Sequence, residues 1–119
     1  KQSINLLIEK FRDHKKNVYL IGPVSIPGYD FASDFSRRII FNKNTGNLKK
    51  PRYEFEKKYK QIINYYEKKL ENNFIQPHKL LCDLKNCFFA DKKGAYFSDS
   101  NHLSKYGSMK MLRLFKKLN

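Results

Sequence analysis

The stretch VYLIGPVSIPG, residues 18–28, decides the fold class of this chain. Its first four residues are all apolar, which is typical of a short strand buried on both faces of a parallel sheet. Gly22 and Pro23 end that strand, and the glycines and prolines that follow predict a loop. Ligands of open α/β sheets bind outside the carboxyl ends of the strands, so we expect this loop to line a site.

The residues on either side of this stretch extend the same pattern. A helix is predicted ahead of it, with Ser3 as N-cap and an end near residues 16–17. A helix that leads directly into a buried strand favours a parallel α/β sheet. Phe74 and Ile75 predict a second short strand. Two strands are too few to bury both faces of a sheet, so the others are expected upstream or in another chain. The helix ahead of residue 18 is predicted from the helical spacing of its apolar residues Ile4, Leu7, Ile8 and Phe11.

The middle of the chain predicts one long helix. Residues 30–40 are expected to be partly helical, and residues 42–50 (NKNTGNLKK) are polar and expected to be exposed. Pro51 suits the first turn of a helix. The apolar stripe of that helix predicts core packing. It consists of Phe55, Tyr59, Ile62, Ile63, Tyr66 and Leu70.

The last third predicts three small structures. Residues 80–82 are expected to form a helical turn, and residues 88–97 a hairpin whose turn is residues 91–94. Ser104 or Asn101 is expected to cap a final helix. The buried side of that helix is predicted from Met111, Leu112, Phe115 and Leu118.

The charge of the chain raises a separate possibility. The net charge is +14 over 119 residues, which favours nucleic acid or another anionic partner. Arginine, the usual residue for base and bidentate phosphate contacts, supplies few of these charges. The lysines occur in every segment, as expected for solvated faces. No apolar run approaches the roughly 20 residues that cross a bilayer.

Two cysteines, Cys82 and Cys87, lie five positions apart. They could form a small disulfide loop in an oxidising compartment, or be free thiols in a cytosolic protein. A structural zinc site needs four ligands in paired short spacings, and no second Cys/His pair flanks this one. The sequence predicts neither a metal site nor a cofactor.

Asp99 and His102 carry the predicted chemistry. A carboxylate three residues before a histidine in a turn can accept the imidazole Nδ1–H, which leaves Nε2 free as a general base. Serine acyl transfer needs such a base, because a serine hydroxyl is a poor nucleophile until its proton is removed. By spacing alone, a helix cap is the better explanation of Asp99.

The wider segment resembles a known family. Residues 99–104 (DSNHLS) followed by Gly107 are similar to the last block, D-x-x-H-L-S-x-x-G, of the SGNH (GDSL-type) hydrolases. More narrowly, the chain resembles the SGNH domains fused to the C-terminus of acyltransferase-three family membrane proteins. Residues 18–28, the pair Cys82 and Cys87, and the aromatic strand before Asp99 support that narrower match.

The resemblance implies a flavodoxin-like three-layer αβα fold and a Ser–His–Asp mechanism with His102 and Asp99 as catalytic residues. It implies an O-acyltransferase or esterase acting on acyl groups of cell-surface polysaccharide such as lipopolysaccharide. The implied partner is an acyltransferase membrane domain of the same polypeptide, and the implied location is the periplasmic face of the bacterial inner membrane. A Cys82–Cys87 disulfide fits that location.

The family's first block, Gly-Asp-Ser, which carries the nucleophile, has no counterpart in this sequence. Residues 98–100 (SDS) lie inside the histidine block, and neither Asn101 nor Gly22 is assigned to an oxyanion hole. We therefore expect residues 1–119 to be the C-terminal part of one SGNH domain, with the serine upstream of Lys1. On this expectation the chain alone has no turnover.

Two other functions remain as alternatives. One is a basic nucleic-acid-binding module, although no nucleic acid is expected, and the other is a non-catalytic remnant that binds a glycan. Among the remaining polar residues, His78 follows Pro77 and is expected to be exposed in a loop. Tyr29 and Asp30 could border the active cleft.

Overall fold

The structure is a computed structural model that describes residues 2–116. These residues form five helices and six short strands, with single 3-10 turns at Thr45–Asn47 and Glu71–Asn73. The helices and strands are α1 (Gln2–Asp13), β1 (Leu20–Ile21), α2 (Phe31–Ile40), β2 (Lys49–Pro51), α3 (Arg52–Leu70), β3 (Phe74–Ile75), α4 (His78–Leu81), β4 (Asn86–Phe88), β5 (Ala90–Asp91), β6 (Gly94–Ala95) and α5 (Lys105–Phe115).

The two predicted strands form a parallel pair. β1 pairs in parallel with β3, Leu20 opposite Phe74 and Ile21 opposite Ile75. The Gly22 amide continues the ladder by donating to the Ile75 carbonyl at 2.8 Å. The strand at residues 74–75 and the α/β class are therefore confirmed.

Helices cover both faces of this pair. Leu20 packs against a cluster that joins α1 and α3, whereas Ile21 lines an apolar cavity with Met111 and Leu114 of α5. Successive side chains of a strand point to opposite faces, so α1 and α3 lie on one side and α5 on the other. The helix–strand–helix order is that of an α/β layer structure.

Three expectations for the first 28 residues are wrong. Ile21 is 54% exposed rather than buried, because among the described residues β1 has a strand neighbour on one edge only. Ser3 lies inside α1 instead of capping it, and α1 ends at Asp13, three to four residues early. Turns then reverse the chain before β1, with the Lys15 amide donating to the Arg12 carbonyl.

Residues 42–50 are not the exposed polar loop that their composition predicts. Leu48 is buried in a core cluster that also contains Phe31 and Phe89, and Lys49–Pro51 forms strand β2, antiparallel to β4. The partner strand lies almost 40 residues away, so local composition cannot predict this pairing. Pro51 accordingly ends a strand and directly precedes α3.

The long helix and the final helix are confirmed with changes at individual positions. In α3, Ile62 is exposed, while the other stripe residues are buried or half-buried. In α5, Met111 is buried but Leu112 is exposed, and Leu118 lies outside the described residues. The hairpin is also confirmed, with β5 and β6 antiparallel, and the helical turn at residues 80–82 forms as α4.

Candidate active site

The turn that carries Asp99 and His102 is built on a buried base. Phe97 and Leu103 face each other in an antiparallel bridge, and the Ser98 amide donates to the His102 carbonyl at 2.9 Å. The Phe97 ring is buried and packs edge-on against Phe31 and Phe89, with ring centroids 6.3 and 5.8 Å away. Burial of aromatic surface therefore fixes both ends of an otherwise exposed turn.

Asp99 organises the turn through both carboxylate oxygens. Its Oδ1 accepts hydrogen bonds from the backbone amides of Asn101 and His102, at 2.9 and 2.8 Å. Its Oδ2 lies 2.8 Å from His102 Nδ1. The two amides, followed by the imidazole, lower the pKa of Asp99 to about 2, because hydrogen bonds to a carboxylate favour its charged form.

These contacts determine which nitrogen of His102 carries the proton. An ionised carboxylate can only accept, so the Nδ1 atom beside Asp99 Oδ2 must be the donor. The neutral imidazole then has a free lone pair on Nε2. The expectation that Asp99 and His102 lie within hydrogen-bond reach is confirmed.

The pair is open to solvent. The His102 side chain is 74% exposed and that of Asp99 50%. Among the described residues, none forms a hydrogen bond with His102 Nε2. The lone pair is therefore accessible to a hydroxyl brought to this face, which is the position a general base needs.

The loop of residues 22–28 lies beside the turn, as the strand-end argument predicts. The Gly28 amide donates to the Ser100 carbonyl at 2.8 Å, which joins the loop to the segment between Asp99 and His102. Gly28 has a φ of +70°, a left-handed conformation that favours glycine.

Ser104 and Gly107 connect the turn to α5. Ser104 Oγ accepts a hydrogen bond from the Gly107 amide at 3.0 Å. Of the two predicted caps, Ser104 and Asn101, Ser104 is therefore the N-cap of α5. The same hydroxyl donates to the Ala95 carbonyl at 2.6 Å. A Cβ atom on Gly107 would lie 2.0 Å from the Tyr96 carbonyl oxygen, so only glycine fits there. The spacing H-L-S-x-x-G thus has a structural reason at each named position.

Asp91 is a supporting residue that the sequence interpretation missed. Its carboxylate accepts from the hydroxyls of Tyr96 and Tyr106, at 3.0 and 2.9 Å, and lies 3.5 Å from Lys110 Nζ. Desolvation opposes its charge, but the hydrogen bonds from Lys93, Tyr106 and Tyr96 hold its pKa below the usual range. Asp91 thereby ties the hairpin to α5. No signal in the sequence pairs these residues, because they meet only after the hairpin packs on the helix.

Cys82 and Cys87 form a disulfide. Cys87 is fully buried, and the Cys82 amide donates to the His78 carbonyl at 2.8 Å at the end of α4. His78 is only 4% exposed, which corrects the prediction of an exposed loop residue. Its ring lies 4.9 Å from that of Phe55, in a core formed by α3 and α4. The sequence gives no sign of this burial, because the packing partner Phe55 lies on a different helix, far from His78 in the chain.

The remaining candidate residues have structural roles. Asp30 caps α2 by accepting from the Ser33 amide at 3.3 Å. Gly22 packs against the Phe74 ring, where a Cβ would lie 2.8 Å from the nearest ring carbon. Tyr29 lies under the Lys50 ammonium, 5.9 Å from Nζ to ring centroid, next to Gly28.

No group of three or more His, Cys, Asp or Glu side chains comes together as a metal site within residues 2–116. None of the helices in these residues is both long and apolar enough to cross a membrane.

A mixed α/β layer structure with an exposed imidazole oriented by a carboxylate is the general class that this geometry defines. The family model described as "SGNH domain (fused to AT3 domains)" matches residues 1–117, and the chain belongs to this family. The resemblance drawn from residues 99–107 is thus confirmed. The family associates the chain with hydrolase and acyltransferase chemistry and with acyltransferase domains on the same polypeptide. Searches of curated proteins and of solved structures found no significant match to this chain.

Proposed function

We propose that this chain supplies the acid–base half of a serine O-acyltransferase or esterase site that acts on O-acyl groups of cell-surface polysaccharide. His102 is the general base and Asp99 its orienting carboxylate. The nucleophilic serine lies outside residues 1–119, in the same polypeptide as an acyltransferase membrane domain. The observation that carries the proposal is the 2.8 Å contact between His102 Nδ1 and Asp99 Oδ2, with the imidazole open to solvent.

The proposed reaction has two halves. In the first, His102 Nε2 takes the proton of the serine hydroxyl as its oxygen attacks the acyl carbonyl. The imidazolium then gives that proton to the leaving alcohol, and an acyl-serine forms. In the second half, His102 deprotonates water or a sugar hydroxyl, whose oxygen attacks the acyl-serine carbonyl; the ester bond to serine breaks, the imidazolium returns the proton to the serine oxygen, and acid or a new ester is released. Asp99 stays ionised throughout and stabilises the imidazolium.

The low pKa of Asp99 supports its part in this scheme. A carboxylate held near a pKa of 2 by two backbone amides does not compete for the proton during the reaction. It stays a hydrogen-bond acceptor at any physiological pH, so the Nδ1–H tautomer of His102 is kept.

The disulfide and the family both support a location outside the cytoplasm. The Cys82–Cys87 disulfide is of a kind that persists in oxidising compartments, and the family's acyltransferase domains indicate a membrane protein. We propose that the domain faces the periplasm, where surface glycans are assembled. A non-catalytic glycan-binding role is the alternative outcome of the experiment below.

The test is p-nitrophenyl acetate hydrolysis by the full-length polypeptide and three variants. His102→Ala and Asp99→Asn should each lower kcat by roughly 10³- to 10⁴-fold, because the serine loses its base or the base its correct tautomer. His14→Ala is the matched control, since His14 is also exposed but bonds only to the Lys10 carbonyl of α1. It should leave kcat within about twofold.

The position of the nucleophile is tested with a fluorophosphonate probe. The 119-residue chain alone should neither hydrolyse the ester nor be labelled, whereas the full-length polypeptide should be labelled at a serine outside these residues. His102-dependent hydrolysis by the 119-residue chain would refute the external serine. Full activity of His102→Ala in the full-length polypeptide would refute the catalytic proposal itself.

A further inference from the structure

A cleft of about 240 Å³ is lined in part by Gly28, whose amide is hydrogen-bonded to the Asp99–His102 turn. One wall is the loop of residues 24–28, and the other is the end of β2 with the first two turns of α3, residues 50–59. We call this the loop cleft. Its volume is just below the roughly 300–1,000 Å³ of pockets for drug-sized ligands, so it suits one sugar ring rather than an extended chain.

Two lysines of the loop cleft lack a carboxylate partner. Lys50 Nζ lies 5.9 Å from the Tyr29 ring centroid and Lys58 Nζ lies 5.1 Å from that of Tyr59. Neither forms an ion pair with any residue in the described part of the chain. Glu54 also lines the cleft, so its charged side chains carry two positive charges and one negative. The cleft therefore favours an anion over a neutral ligand or a cation.

Ser25 supplies a second, independent observation. It is only 6% exposed and lines the loop cleft. Its hydroxyl forms no hydrogen bond with any residue from 2 to 116. The residue is largely covered, but its hydroxyl oxygen keeps contact with solvent, since it is not one of the buried unpaired side-chain atoms of residues 2–116. A hydroxyl that lines a cleft and has no protein partner is free to hydrogen-bond a polar ligand such as a sugar hydroxyl.

The loop cleft and the turn share a wall at Gly28. The Gly28 amide donates to the Ser100 carbonyl, and Lys50 Nζ lies 3.6 Å from where a Cβ on Gly28 would be. Ser100 lies between Asp99 and His102. A ligand held by Lys50 therefore lies against the same loop that contacts the turn.

We infer that the loop cleft is a binding site for one anionic sugar unit, bearing a carboxylate or a phosphate, of the glycan whose ester is presented to His102. Lys50 and Lys58 pair with the anionic group, Ser25 hydrogen-bonds a ring hydroxyl, and the Tyr59 ring supplies an apolar face. The link between this unit and an ester at His102 rests on the proposed function. The binding itself does not.

The experiment is an amide NMR titration of the purified protein with glucuronic acid, glucose 6-phosphate, glucose and inorganic phosphate. The two anionic sugars should shift the amides of residues 24–28 and 50–59 and bind at least about tenfold more tightly than glucose or inorganic phosphate. A double variant Lys50→Gln, Lys58→Gln should lose that preference, since each charge-assisted contact is worth about tenfold. Ser25→Ala should weaken binding of both sugars by about threefold to tenfold.

The matched control is Lys57→Gln, Lys60→Gln. These lysines lie on α3, as Lys58 does, but border a different depression. The control therefore removes two positive charges without touching the loop cleft. This variant should keep the anionic preference within about twofold. Equal binding of glucose, equal binding of inorganic phosphate, or shifts confined to other residues would each overturn the site.

Failure of this site and failure of the proposed function are distinguishable. His102→Ala removes the base without touching Lys50, Lys58 or Ser25, so it should bind the anionic sugars as the native protein does. If esterase activity depends on His102 but the lysine variant binds normally, the site is wrong and the function stands. If the site binds but activity is independent of His102, the function is wrong and the binding site stands.

Discussion

His102 and His78 have opposite surroundings in the same chain. His102 sits on an exposed turn, 2.8 Å from a carboxylate three residues away in sequence. His78 is buried against Phe55, and its Nδ1 atom has no hydrogen-bond partner. Phe55 precedes it by more than 20 residues. A histidine whose partner is local can be interpreted from sequence, whereas one whose partner comes from another helix cannot.

The two histidines also differ in what holds them. The His102 turn is stabilised by hydrogen bonds among residues 98–102, and its ends rest on the aromatic core. The His78 helix is held by side-chain packing and by the Cys82–Cys87 disulfide that follows it. We therefore expect substitutions at His102 to affect chemistry and those at His78 to affect stability.

The largest expected effect on stability is at Gly107, where α5 packs closely against the backbone of Tyr96. Gly107→Ala places a methyl group against the Tyr96 carbonyl and should lower the free energy of unfolding by about 3 kcal/mol or more. Urea denaturation measures it. Ser108→Ala, on the exposed side of the same helix, is the control and should cost less than about 0.5 kcal/mol. A native-like Gly107→Ala would show that the contact between α5 and residue 96 is looser than described.

The next largest effect is the difference in stability loss between alanine variants of the two histidines. His78→Ala removes a buried ring that packs on Phe55 and should cost about 2 to 3 kcal/mol of unfolding free energy. His102→Ala removes an exposed ring and should cost less than about 0.5 kcal/mol. Denaturation curves of both variants measure the difference. Equal losses would contradict the contrast between the two sites.

The disulfide should sharpen the comparison further. Replacing Cys82 and Cys87 together by serine should cost about 2 kcal/mol, the value expected for a loop this short. Because the disulfide follows α4, amide exchange should rise at residues 78–88 more than at residues 98–102. Equal rises in both segments would mean that the turn depends on the disulfide as much as α4 does.

The smallest expected effects are two separate pH dependences. Burial and the positive charges of Arg52 and Lys79 lower the pKa of His78 below 6.5, so the unfolded chain binds the proton first. Stability should therefore fall as pH drops below about 6.5. The pKa of Asp99 is lowered from 3.8 to about 2, so its contribution is present above 3.8 and is lost only as pH falls toward 2.

Denaturation between pH 8 and pH 3 separates the two. His78→Gln should flatten the dependence that begins near pH 6.5, while Asp99→Asn should remove the dependence below about pH 4. A His78→Gln profile that keeps the full dependence near pH 6 would refute the first assignment, and an Asp99→Asn profile that is unchanged below pH 4 would refute the second.

The proposed anion site, like the burial of His78, depends on contacts between distant parts of the chain. Ser25 and Gly28 come from the loop after β1, whereas Lys50 and Lys58 come from β2 and α3. Residues 42–50 were predicted to be an exposed polar loop, and within them Lys50 was one lysine among many. Only the pairing of β2 with β4 places it over Gly28.

The sequence by itself determined the α/β class, the strand at residues 74–75, the hairpin, Ser104 as one of two candidate caps, and the Asp99–His102 contact. Each of these depends on apolar periodicity or on partners a few positions apart, where the backbone geometry is set by local sequence. Tertiary structure alone decided the burial of His78 and Leu48, the exposure of Ile21 and the network around Asp91. Those depend on contacts between residues far apart in the chain, which the packing of whole helices and strands creates.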